Sequence, residues 1–298
     1  MRFRPAFLLL SALVPAAAFA APIPPSVADM LKAAVNGGDA GTVQVAVALA
    51  KKTNPQSAAE IDTLVAQYQA EAKARHEAKL RRQGFLRGWS GQGQAGAAYS
   101  TGNSRNTAIA LGLSLKRDGL YWRHALTATA DYQHSDGADQ RERYFASYES
   151  NYKVTDRFYV LGVFSWERDR FSGFTSRLSE ALGLGYSVIK TPTMTLNLEG
   201  GPALRQTRYI TGENENNFAG RAAIDYQWQI TPGLSFSQNL AAYGQSSDST
   251  VTSNTALTTK LLGNLSAQLS FRAQYESNPP LGLENTDTTS RLTLVYSF

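Results

Sequence analysis

From Gly84 onward, apolar and polar positions alternate with period two, in segments of about 10 to 16 residues separated by turn residues. In 264–277 one parity carries Leu265, Ala267, Leu269, Phe271, Ala273 and Tyr275, and the other carries Ser266, Gln268, Ser270, Arg272, Gln274 and Glu276. In 215–230 Phe218, Ala222, Ile224, Tyr226 and Trp228 alternate in the same way with Arg221, Asp225, Gln227 and Gln229. Successive strand side chains point to opposite faces, so each segment predicts a strand with one apolar and one polar side. About twelve are read: 89–99, 106–117, 121–133, 140–153, 157–168, 176–190, 193–208, 215–230, 233–246, 248–262, 264–277 and 286–298.

The connections alternate as well. "KRDGLY", "KVTDRF", "VIKTPTM", "QITPGLS" and "KLLGNLS" are tight turns with Gly, Pro or Asp at the bend. "STGNSRN", "HSDGADQ", "RDRFSGFTS", "YITGENENN", "GQSSDST" and "ESNPPLGLENTDT" are mostly longer and more polar. Short turns on one side and long loops on the other predict a transmembrane antiparallel β-barrel, with the turns and both barrel ends facing the periplasm. Aromatic residues gather at both segment ends: Trp122, Tyr152, Phe158, Trp228, Phe236, Tyr296 and Phe298 by the turns; Tyr99, Tyr132, Tyr144, Trp166, Phe218, Tyr243 and Tyr275 by the loops. Two such belts match two membrane interfaces. A half-buried sheet alternates too, but its apolar face would need covering along every strand.

Before Gly84 the period is helical. Ser26 is read as the cap of a helix bearing Val27, Met30, Leu31, Ala34 and Val35, ended by Gly37-Gly38. A second stripe runs through Val43, Ala46, Val47 and Ala50. A third follows Asn54-Pro55 and a Ser57/Glu60 capping box, through Ile61, Leu64, Val65 and Tyr68, into "QAEAKARHEAKLRRQ". Its basic end, Lys79, Arg81, Arg82 and Arg87, suits either solvent or lipid phosphates. "MRFRPAFLLLSALVPAAAFA" has the charged start, apolar core and small-x-small end of a secretory signal peptide. The expected organisation is a signal peptide over 1–20, a helical periplasmic region over 21–83, and the barrel over 84–298.

Composition narrows the chemistry. Without cysteine there is no disulfide, thiolate nucleophile or cysteine-ligated metal. Two of the 29 basic residues lie in the signal, leaving 27 against 24 acidic ones, a balance that gives no reason to expect nucleic acid. The inward parity carries Lys116, Arg123, Asp131, Glu149, Lys153, Glu167, Glu199, Arg205, Arg221, Asp225, Arg272, Glu276 and Arg291, mixed in sign as a polar lumen requires. Arg168, Arg170 and Arg177 flank one loop, where guanidinium groups suit lipopolysaccharide phosphates. The barrel histidines, His124 and His134, do not read as a catalytic triad; the sequence cluster His134, Ser135 and Asp136 reads as a solvated loop. No metal or cofactor is expected.

The closing "RLTLVYSF" puts Leu292, Leu294, Tyr296 and Phe298 on one parity. It resembles the C-terminal signal of bacterial outer-membrane proteins, and the resemblance implies that Tyr296 and Phe298 address the barrel-assembly machinery. Three stretches, "SGQGQAGAAYSTGNSRNTAIALGLSLKRDG", "SWERDRFSG" and "ESNPPLGLENTDTTSRLTLVYSF", are similar to the salt-induced outer membrane protein family (YdiY-like), over roughly Gly88 to Phe298. That family has no assigned activity, so the resemblance implies location and fold rather than a reaction. The expectation is a non-enzymatic outer-membrane barrel in contact with lipids, with a structural or salt-stress-related envelope role ahead of a narrow channel for ions or small polar solutes. A lipid-modifying barrel enzyme ranks third.

Overall fold

The computed structural model describes residues 22–100, 106–135, 138–246, 248–279, 282 and 284–298. The expected signal peptide, most of the "STGNSRN" loop, Asp136 and Pro280 lie outside the described residues. The chain forms two compact units, divided between Lys79 and Leu80.

The first unit is helical. α1 (Pro25–Gly37), α2 (Ala40–Thr53) and α3 (Ala58–Arg82) bury Leu31, Ala34, Val35, Ala46, Ala50, Ile61 and Val65 together. These are the positions whose helical spacing marked them as stripes. Asp39 starts α2 by accepting from the Thr42 N–H at 2.7 Å. The Thr42 hydroxyl and N–H together hold its carboxyl below the usual carboxylate range. Two local readings change. α1 begins on Pro25, whose fixed φ suits the first turn, so Ser26 lies inside the helix instead of capping it. A single 3-10 turn, Pro55–Ser57, separates Asn54 from α3.

The second unit is a closed antiparallel barrel of twelve strands among the described residues. They are β1 (Trp89–Ser100), β2 (Asn106–Asp118), β3 (Trp122–Ser135), β4 (Ala138–Lys153), β5 (Phe158–Asp169), β6 (Phe174–Lys190), β7 (Met194–Tyr209), β8 (Asn214–Thr231), β9 (Leu234–Gln245), β10 (Ser249–Leu262), β11 (Leu265–Glu276) and β12 (Thr286–Ser297). Each pairs with the next, and β12 pairs with β1 through Gln92–Ser297, Gly93–Tyr296, Gln94–Val295 and Ala95–Leu294. Gly91 and Phe298 extend this seam by exchanging N–H···O bonds of 2.9 and 2.8 Å. The Phe298 ring lies over Gly91, where a Cβ would stand 2.9 Å from it, so glycine is what admits the terminal ring.

Burial is inverted relative to a water-soluble protein. Leu182, Leu292 and Phe218 are 70%, 72% and 83% exposed on the outside, while Asp131, Arg143 and Arg205 are 3%, 5% and 4% exposed within. Water would penalise the outer face, which a hydrocarbon surround does not, and the inner charges are compensated by one another. The expected contrast in loop length is weaker than the sequence suggests. β6 begins at Phe174 and β8 at Asn214, so residues read as loop continue the ladders beyond the apolar belt and satisfy their backbone groups there. Tyr243 is not in the outer aromatic belt: it faces inward beneath the Arg205 guanidinium, 5.1 Å from the ring centre.

Candidate functional site

The polar face of the wall converges on the lumen, where its charges form two groups. The group in the loop half is built by β3 to β7 on one side and β10 to β12 on the other. Glu167 Oε1 on β5 accepts from Arg143 Nε on β4 at 2.7 Å and lies 3.6 Å from Arg272 Nη2 on β11. Arg291 on β12 reaches Asp131 on β3 at 2.8 Å, and Arg143 lies 3.6 Å from the same carboxylate. Arg177 on β6 donates to Glu276 on β11 at 2.7 Å. Arg205 on β7 donates to Thr250 on β10 at 2.6 Å, and Thr250 passes the bond on to Glu276 at 2.8 Å. β5 and β11 are six strands apart in the ring of twelve, so these ties cross the lumen rather than run along its wall.

The second group occupies the turn half. Glu199 accepts from Arg221 at 3.0 Å and from the Tyr159 hydroxyl at 3.0 Å, and Arg123 stands 4.9 Å above the Tyr159 ring. That ring lies against Gly185, where a Cβ would come within 2.2 Å of it, so the absent side chain gives Tyr159 its place. Glu149 accepts from Asn151 at 2.7 Å. Lys116 and Asp225 line a cavity of about 630 Å³ at the turn end of the lumen. Its wall is mostly Ser, Thr and Gln, and through Ser237, Asn239 and Gln268 it adjoins a cavity of about 240 Å³ beneath the arginines.

Among the residues expected at a lipopolysaccharide surface, Arg177 is misplaced by the sequence reading. β6 starts two residues earlier than expected, and Arg177 has inward parity; its side chain is 4% exposed, on Glu276, and unavailable to a headgroup. Arg168 and Arg170 lie 3.5 and 4.0 Å from Glu142. Tyr296 and Phe298 sit on the β12 side of the seam, both more than half exposed. His124 lies in the outward aromatic belt, stacked near Trp122 and Tyr148 and bonded to the Tyr148 hydroxyl at 2.8 Å. His134 Nδ1 is 2.7 Å from Asp139.

One residue escaped the sequence reading. Glu180 shares the outward parity of Leu178, Leu182 and Leu184 and pairs across strands with Phe164 and Leu204. It is exposed on the apolar face with no ion pair among the described residues. The signal was a single acid in a run of leucines, visible to the parity argument but not noticed by it.

The family described as "Protein of unknown function, DUF481" matches residues 93–298. The chain is 27% identical over 210 residues to "Uncharacterized protein YdiY" of Escherichia coli (strain K12), a match covering 70% of this chain and 83% of that protein. Among solved structures it is similar to the COG4313 outer membrane channel from Pseudomonas putida F1, with a TM-score of 0.44, 11% identity, and coverage of 70% of this chain and 95% of the other. It is likewise similar to the NanC porin, with a TM-score of 0.41, 13% identity, and coverage of 70% and 98%.

Proposed function

The chain belongs to the family described as "Protein of unknown function, DUF481", and on that premise we propose a non-enzymatic outer-membrane barrel whose lumen is closed, with a structural or stress-related role in the envelope. The observation that carries this reading is the tie from β5 to β11 through Glu167 and Arg272, continued to β4 by Arg143. Barrels of about eight strands fill with side chains, and those of about 16 leave a water channel. In this ring of twelve, paired charges of both signs cross the loop half of the lumen. Such ties stiffen the wall by linking opposite strands. In this reading the turns and the helical region face the periplasm, Arg168 and Arg170 meet lipopolysaccharide, and Phe298 with Tyr296 addresses the assembly machinery. Purified protein in a planar bilayer should give no unitary conductance steps, and steady steps at neutral pH would overturn closure.

A second reading is a narrow passive channel, favoured by the two adjoining hydroxyl- and amide-lined cavities. It predicts small steps that grow when Glu167 and Arg272 are replaced together by alanine.

A further inference from the structure

We propose that the cavity beneath the arginine layer is a binding site for a small hydroxylated carboxylate, entered from the turn end of the lumen. The inference goes beyond the closed-barrel reading and holds whether or not the barrel conducts. The cavity, about 240 Å³, is lined by three arginines, Arg143, Arg272 and Arg291, and by no carboxylate. Asp131 and Glu167, which partner these guanidinium groups, contribute nothing to its lining. The lining thus presents guanidinium groups to the cavity and leaves their carboxylate partners outside it, an arrangement that favours an added negative charge.

The lining also carries hydroxyl groups without partners. The hydroxyls of Thr129 and Thr293 have no protein partner among the described residues, and Thr293 is 5% exposed. Buried polar atoms of this kind are rarely left unsatisfied in native proteins. Guanidinium groups fit a carboxylate, and hydroxyls and amides fit the hydroxyls of the same molecule. The larger cavity at the turn end, sharing Ser237, Asn239 and Gln268 with this one, supplies the route.

The test is calorimetric titration of the full-length protein in detergent with three probes. Gluconate carries both the carboxylate and the hydroxyls, sorbitol only hydroxyls, and acetate only the charge. Gluconate should bind saturably, one per chain, with sorbitol and acetate each weaker by about tenfold or more. Arg291→Gln, and separately Thr293→Val, should weaken gluconate by about tenfold. Thr293→Val removes a hydroxyl and no charge, so it tests the site even where Arg291→Gln loosens the barrel. Equal heats for gluconate and sorbitol, or unchanged gluconate binding in a folded Thr293→Val barrel, would overturn the proposal and mean that the cavity holds only water. Conductance steps in a protein that binds gluconate would sink closure and leave this site standing.

Discussion

Replacing Glu167 by glutamine removes one negative charge from the centre of the cross-lumen ties while keeping the side chain's shape. At an effective dielectric constant near 20, a unit charge at 2.6 Å from Arg143 contributes about 6 kcal/mol of attraction, and one at 3.6 Å from Arg272 about 5 kcal/mol. Most of that gain offsets the cost of taking three charges out of water. What the substitution exposes is the remainder, two buried guanidinium groups facing each other without their shared anion. Breaking a buried pair in this way typically costs about 3 to 5 kcal/mol. Asp131 at 3.6 Å and Asp169 at 3.8 Å remain beside Arg143, so the lower end, about 3 kcal/mol, is expected. The assay is urea unfolding in lipid vesicles, followed by tryptophan fluorescence and by the heat-dependent shift in gel mobility. Arg272→Gln in the Glu167→Gln background should then cost less than in the wild type, with a coupling of about 1 to 3 kcal/mol. A loss below about 1 kcal/mol for Glu167→Gln, with no coupling to Arg272, would refute the claim that these charges brace the wall.

Three further outcomes test the faces and the seam. Leu269→Arg, on the outward parity of β11, should destabilise by about 2 to 4 kcal/mol, and Gln268→Arg, facing the lumen, by much less; equal costs in the same unfolding assay would defeat the assignment of faces. Glu180→Leu should stabilise the barrel, by about 2 kcal/mol or less, because it removes a lone carboxylate from the lipid face; a loss of stability would mean that Glu180 has a partner in the membrane. Deleting Phe298 should lower the amount of folded barrel in outer-membrane fractions far more than Phe298→Tyr does, and wild-type levels in the deletion would remove its role in assembly.

The strands were legible because their information is local. Parity at Leu265 to Glu276 is set by neighbours two residues away, and it assigns each side chain a face without knowledge of any partner strand. The helical stripes were legible for the same reason, since Leu31, Ala34 and Val35 repeat within a single turn of one another. What local pattern cannot supply is the stagger of a closed sheet, which decides that Arg272 of β11 faces Glu167 of β5. The composition of the lumen was therefore readable and its pairing was not. Arg177 lay inside the expected strand, 176–190, on the inward parity of Ser179 and Ala181, but its closeness to a loop made it an expected surface cation instead of a buried ion-pair partner. Tyr243 was assigned to a belt by its position near a loop, although its parity, shared with Ala241 and Gln245, placed it inside.

The seam between β1 and β12 sets the mechanics of the barrel. Every other ladder is far longer, but this one ends at Ala95 and Leu294, although β1 continues to Ser100 and β12 begins at Thr286. The ring is thus clasped at the turn end and joined by fewer backbone N–H···O bonds as it rises towards the loops. A hoop fastened at one rim resists squeezing there and yields at the other, so lateral pressure in the bilayer would flare or pinch the loop end first. Circumference at the turn end rests on the last five residues of the chain, Leu294 to Phe298, which act on the whole ring as a buckle acts on a belt.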